Sequence, residues 1–130
     1  MKRLFIGLLL FFSAANISFS QTVFSQWPKL SDFHDIMSAT FHPSEEGNLE
    51  PIKKRSGELV AKANALQKSQ IPAAYNKPEI RNSVKKLNTT SLELNLLVKN
   101  KATDKQLMDK IKVLHDIFHQ IVGLCKEKPH

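Results

Sequence analysis

The sequence predicts an all-α protein, an up-down-up-down antiparallel four-helix bundle that follows a cleaved signal peptide. Three observations point there. Apolar residues recur at steps of three and four through most of the chain, with no strand-like alternation. Short polar joints separate the segments that carry this spacing, which favours antiparallel neighbours. One segment near the C-terminus keeps the spacing unbroken through Leu107, Ile111, Leu114, Phe118, Ile121 and Cys125. That is the seam of a helical bundle.

The first twenty residues stand apart. Lys2 and Arg3 give a positive start, Leu4 to Phe12 form an apolar run broken only by Gly7, and small and polar residues lead to Ser20 and Gln21. This is the order of a secretory signal peptide, and the run is short for a bilayer span. The expected cut is Ser20/Gln21, dividing the chain into a signal peptide (1–20) and a helical domain (21–130). No cysteine stands at the cut, which argues against a lipid anchor there. The mature protein is expected to be periplasmic or secreted, and its length suits one domain with a modest core.

The first helix is expected from about Trp27–Pro28 to Phe41, with Ser31 or Asp32 in its opening turn. Pro43 disfavours helical geometry at His42 and is expected to end it. After the turn through Gly47, Asn48 caps the second helix, with Pro51 tolerated in the first turn. That helix runs to about Ser69 with Ile52, Leu59, Ala63 and Leu66 on one side. A joint from Ile71 to Pro78 leads into the third, which reaches about Lys99. Its stripe is Ile80, Val84, Leu87, Leu94 and Val98, with Ser91 at the missing step. Thr103 and Gln106 then form a capping box for the fourth.

Composition narrows the function classes. Of the formal charge of +7, Lys2 and Arg3 supply two, leaving +5 on the mature chain. The remaining cations, such as Lys53, Lys54, Arg55, Lys85, Lys86 and Lys99, are scattered with few aromatics between them. That pattern is a solvated basic surface rather than a nucleic-acid groove. Attraction to anionic envelope surfaces is weak and unspecific. No protein partner can be named from it. The single cysteine, Cys125, excludes an intramolecular disulfide and reads as a small buried apolar residue. No nucleophile, base and orienting group are arranged for hydrolysis, and an enzyme is not expected.

The chemistry lies in the histidines. His34 and His42 sit at one end of the mature chain, His115 and His119 at the other, and the fifth, His130, is the last residue. In an antiparallel bundle the first and last helices are neighbours, so the two pairs can face one another. His115 and His119 are four apart, emerging roughly 6 Å apart along one helix face, where two imidazoles can chelate one ion. No Glu follows His115, so a zinc-protease helix is not indicated. His34 shares a face with Leu30, Met37 and Phe41, where an unpartnered imidazole would be costly to bury. His42 lies eight residues on, about 12 Å along a straight helix. One ion cannot easily take both, so one is excluded, or the turn at Pro43 folds His42 back, or two sites exist.

Glu45 and Glu46 follow that turn, and Glu46 is taken with the four histidines as a candidate metal ligand. Asp35 and Asp116 suit the orientation of an imidazole better than direct ligation. Neutral imidazoles suit Zn or Cu, and Met37 and Met108 offer soft sulfur ligands that favour Cu(I).

A leader, about 110 mature residues, four amphipathic helices and a histidine on the last helix together resemble the periplasmic cytochrome b562 and cytochrome c-prime architecture. The resemblance is one of pattern across the mature chain, and the Cys-x-x-Cys-His of the c-type proteins is missing. It implies a four-helix bundle and, by analogy with the b-type family, a non-covalent haem b between Met37 and His115 or His119. Three readings therefore stand: a non-enzymatic Zn or Cu module, a haem b electron-transfer protein, and a cofactor-free envelope interaction protein.

Overall fold

The structure, a computed structural model, describes residues 19–126; residues 1–18, which hold most of the expected signal peptide, and 127–130, which include His130, lie outside the described residues. All regular structure described is helical: α1 (Phe19–Gln26), α2 (Pro28–Glu45), α3 (Glu50–Lys68), α4 (Pro78–Lys99) and α5 (Asp104–Lys126), with a single 3-10 turn at Ala73–Tyr75. The four long helices, α2 to α5, are those expected from the spacing of apolar residues. The short α1 is an addition to that expectation. Among the described residues, no helix is long and apolar enough to cross a membrane.

Local chemistry sets the boundaries. Pro28 opens α2 and pushes Trp27 out of helical geometry, to φ −131° and ψ 79°. That one residue separates α1 from α2. At the other end of α2 the expectation fails, because Pro43 lies inside the helix, which runs on to Glu45. A proline so near the end forfeits a single backbone hydrogen bond, and the turn that follows restores the balance. The amides of Gly47 and Asn48 donate to the carbonyls of Ser44 and Pro43 at 3.0 and 2.9 Å, and Gly47 takes a φ of +84°. This is a Schellman ending with glycine in the left-handed position. His42 consequently stays helical, and the chain does not fold it back at Pro43.

The capping box of the last helix forms as expected. The Thr103 amide donates to Gln106 Oε1 at 2.9 Å, and the Gln106 amide donates to Thr103 Oγ1 at 3.2 Å. Asn48 Oδ1 accepts from the Glu50 amide at the start of α3. The joint between α4 and α5 repeats the Schellman pattern, with Ala102 and Lys101 amides donating to Leu97 and Val98 carbonyls. Here the left-handed position is held by Lys101, at φ 54°.

The core follows the apolar stripes. Ile52, Leu59, Ala63 and Leu66 of α3, Ile80, Val84, Leu87 and Leu94 of α4, and all six residues of the α5 stripe are buried. Ser91 fills the gap in the α4 stripe by donating its hydroxyl to the Leu87 carbonyl at 2.8 Å. Val98 is only half-buried, near the helix end. Cys125 is buried, and burial raises its thiol pKa to about 11, so it stays protonated at neutral pH. Helix α2 packs along α3, α3 along α4 and α4 along α5, whereas α2 and α5 touch far less. At that looser seam α1 packs against both, and a cavity remains.

Candidate metal centre

The cavity has a volume of about 430 Å³, and two helical stripes and one residue of α1 form its walls. His34, Met37, Ser38, Phe41 and His42 supply the α2 wall; His115, Phe118, His119, Val122 and Lys126 supply the α5 wall; Phe24 comes from α1. Both stripes step by three, four and seven, so each is one face of its helix. They run in opposite senses, with His34 against Phe118 (ring centroids 5.6 Å apart) and Phe41 against His115 (3.7 Å).

All four histidines predicted as ligands therefore line one cavity, although their settings differ. His115 and His119 share an Nε2···Nε2 hydrogen bond of 3.0 Å, in which the N–H of one ring donates to the lone pair of the other. That separation is close to the 3–3.5 Å or so expected for two nitrogens on one zinc ion. Phe41 lies flat on the His115 ring, with planes 11° apart. Burial, and then the neighbouring His119, lower the pKa of His115, only partly opposed by Asp116 and Glu45. A neutral imidazole with a free lone pair is the form that binds a metal.

His42 Nδ1 lies 3.1 Å from Glu45 Oε1. With Nδ1–H donating to that carboxylate, Nε2 is left as the ligand atom, the arrangement that commonly orients metal-bound imidazoles. Both His42 and Glu45 act electrostatically on His115, so this end of α2 faces the α5 pair. His34 is packed between rings, 4.7 Å from Phe24 and 5.6 Å from Phe118, with Nε2 3.4 Å from Ser38 Oγ and Nδ1 3.9 Å from Asp35.

Two expectations change here. The side chains of His34 and His42 are 42% and 67% exposed, so the cost of burying an unpartnered imidazole does not require a metal. The α2–α5 seam is too open to bury them. Among the described residues, no group of three or more His, Cys, Asp or Glu side chains stands ready to hold a metal ion. The α5 pair alone has its nitrogens brought together, at 3.0 Å.

Glu46 is exposed and does not line the cavity, and its neighbour Glu45 is the carboxylate engaged with a histidine. Met37 is buried and lines the cavity, whereas Met108 is exposed and lies away from it. Sequence reasoning did not single out Phe24, Ser38, Val122 or Lys126 for the site. For the last two the signal was present, since Val122 and Lys126 continue the His115–His119 face by three and seven residues. No protein-family model, curated protein or solved structure matches the chain.

Proposed function

We propose that the chain is an exported, non-enzymatic metal-binding module, an up-down-up-down bundle that holds Zn or Cu between α2 and α5. The observation that carries this reading is the 3.0 Å approach of the His115 and His119 Nε2 atoms on the wall of a cavity that two further histidines line. His42 is the favoured third ligand, because Glu45 fixes its tautomer with Nε2 free. Water or a small anion completes the coordination. Nitrogen donors of borderline softness, with no thiolate on the wall, suit Zn(II) and Cu(II). An envelope location rests on the N-terminal pattern Lys2–Gln21.

Equilibrium dialysis with metal analysis tests this directly. The mature protein should retain one equivalent of Zn(II) or Cu(II), and the double variant His115→Ala, His119→Ala should not. Retention by neither metal, or retention unaffected by the double substitution, would leave a bundle without a cofactor.

A second reading, haem b held by Met37 and His115 or His119, is supported by the burial of Met37 on the same cavity, among Phe24, Phe41 and Phe118. Bound there, haem would supply one-electron redox chemistry, and the three Phe rings would shield it from water. Titration with haemin discriminates. A sharp Soret band lost in His119→Ala or His115→Ala favours haem, and broad, weak absorbance disposes of it. The paired Nε2 atoms favour the single ion, since an axial haem ligand needs only one imidazole.

A further inference from the structure

We propose that the α2–α5 cavity is a ternary site, taking a small aromatic carboxylate together with the metal. This rests on the metal reading above and names what else the site accommodates.

Size gives the first argument. A volume of about 430 Å³ lies in the roughly 300–1,000 Å³ range of small-molecule sites. A metal-bound water needs only about 30 Å³. An ion on His115 and His119 with a water or two leaves most of the space unfilled.

The second argument is the character of the walls. The half-buried Phe24 and Phe41 give the cavity an apolar face over the buried Met37, Phe118 and Val122, and Phe41 already stacks on an imidazole at 3.7 Å. Offset or tilted ring contacts at about 4.5–7 Å between centroids are favourable. The walls therefore suit a flat aromatic body.

Charge supplies the third. Among the described residues no carboxylate side chain lines the cavity, whereas Lys126 does. A divalent ion held by neutral imidazoles keeps its full +2 charge in a partly apolar setting, and such a charge needs a counter-charge. Glu45 is engaged with His42 Nδ1. An incoming carboxylate can meet both needs, with its oxygen on the metal's open position and its charge near the Lys126 ammonium. No bond is made or broken beyond coordination.

Naphthoate is a suitable probe, with acetate as the control that lacks an aromatic body. Zn(II) binding to the mature protein is measured first by calorimetry, and its absence there would remove the metal reading before any carboxylate is added, and the ternary site with it. With Zn(II) bound, naphthoate should bind about tenfold or more tightly than to the metal-free protein, and naphthoate should tighten Zn(II) by the same factor, as reciprocity requires. Acetate should gain much less. Lys126→Gln, at the exposed end of α5, removes the ammonium without adding a carboxylate and should remove most of the naphthoate gain. Equal naphthoate affinity with and without Zn(II), equal gains for acetate and naphthoate, or an undiminished naphthoate gain in Lys126→Gln would each overturn the ternary site.

Discussion

The ring of Phe41 lies parallel to that of His115, with centroids 3.7 Å apart and planes at 11°. This contact joins α2 to α5 at their loose seam and limits how the imidazole can turn. Its Nε2 is thereby held toward His119. Phe41→Ala should weaken the site as well as the fold. Phe41 is half-buried, so about 1–2 kcal/mol is expected, below the ~3–5 kcal/mol typical of a buried Phe→Ala. Urea unfolding gives the first quantity and Zn(II) dialysis the second. Unchanged Zn(II) affinity would show that the stack does not position His115.

Glu45→Gln isolates the carboxylate on His42. The side chain keeps its size and loses the charge that fixes Nδ1–H, and loss of such an orienting partner typically lowers metal affinity about 10–100-fold. Stability should barely change, because exposed ion pairs contribute about 0–1 kcal/mol. Glu46→Gln, on a residue outside the cavity, should leave Zn(II) binding as it was. Equal effects of the two substitutions would refute the assignment.

The pH dependence of stability follows from His115. Its folded pKa lies below the ordinary 6.5, chiefly through burial and then through His119. The unfolded chain therefore takes up the proton first. The stabilising contribution is complete above pH 6.5 and is lost as pH falls below it toward the folded value. The groups around this ring are His119, Asp116, Glu45 and His42, with Lys126 on the same cavity. In metal-free protein the urea midpoint should drop on acidification below pH 6.5, and His115→Gln should flatten that drop. A wild-type profile that the substitution leaves unaltered would contradict the assignment.

Lys101 occupies the left-handed position between α4 and α5 with φ 54°. A non-glycine residue there carries a penalty of roughly 1–2 kcal/mol, and a glycine adds about 0.5–1 kcal/mol of unfolded-state freedom. Lys101→Gly should thus stabilise the protein by up to about 1 kcal/mol, read from the urea midpoint, with Zn(II) binding unaltered. A destabilised variant would mean that the lysine side chain contributes more than its backbone strain removes.

The fold was legible wherever side-chain spacing reports burial. Leu107 to Cys125 on α5 and Ile52 to Leu66 on α3 announce their buried faces, and the Thr103–Gln106 box announces a helix start. Pro43 misleads because its restriction on His42 is a local preference, which the Schellman turn at Gly47 and Asn48 outweighs. The short helix α1 was hidden because Phe19 to Gln26 overlap the end of the leader pattern and carry no long stripe. At the site, the four-residue step from His115 to His119 was readable, as was the position of His42 ahead of two glutamates. Which glutamate turns toward His42 was not, since it depends on how far α2 continues past Pro43. Exposure of His34 depends on how closely α2 approaches α5, and periodicity along one helix carries no information about that distance.

Nitrogen-15 NMR of the imidazoles during a Zn(II) titration tests the metal reading most directly, because it reports each ring separately. The account predicts that the Nε2 signals of His115 and His119 move together and saturate at one equivalent. His42 Nε2 should follow them, and its Nδ1–H should stay protected by Glu45. His34, packed between Phe24 and Phe118, should shift little. Rings of His115 and His119 that remain unaffected at several equivalents of Zn(II), or that titrate independently of one another, would contradict it.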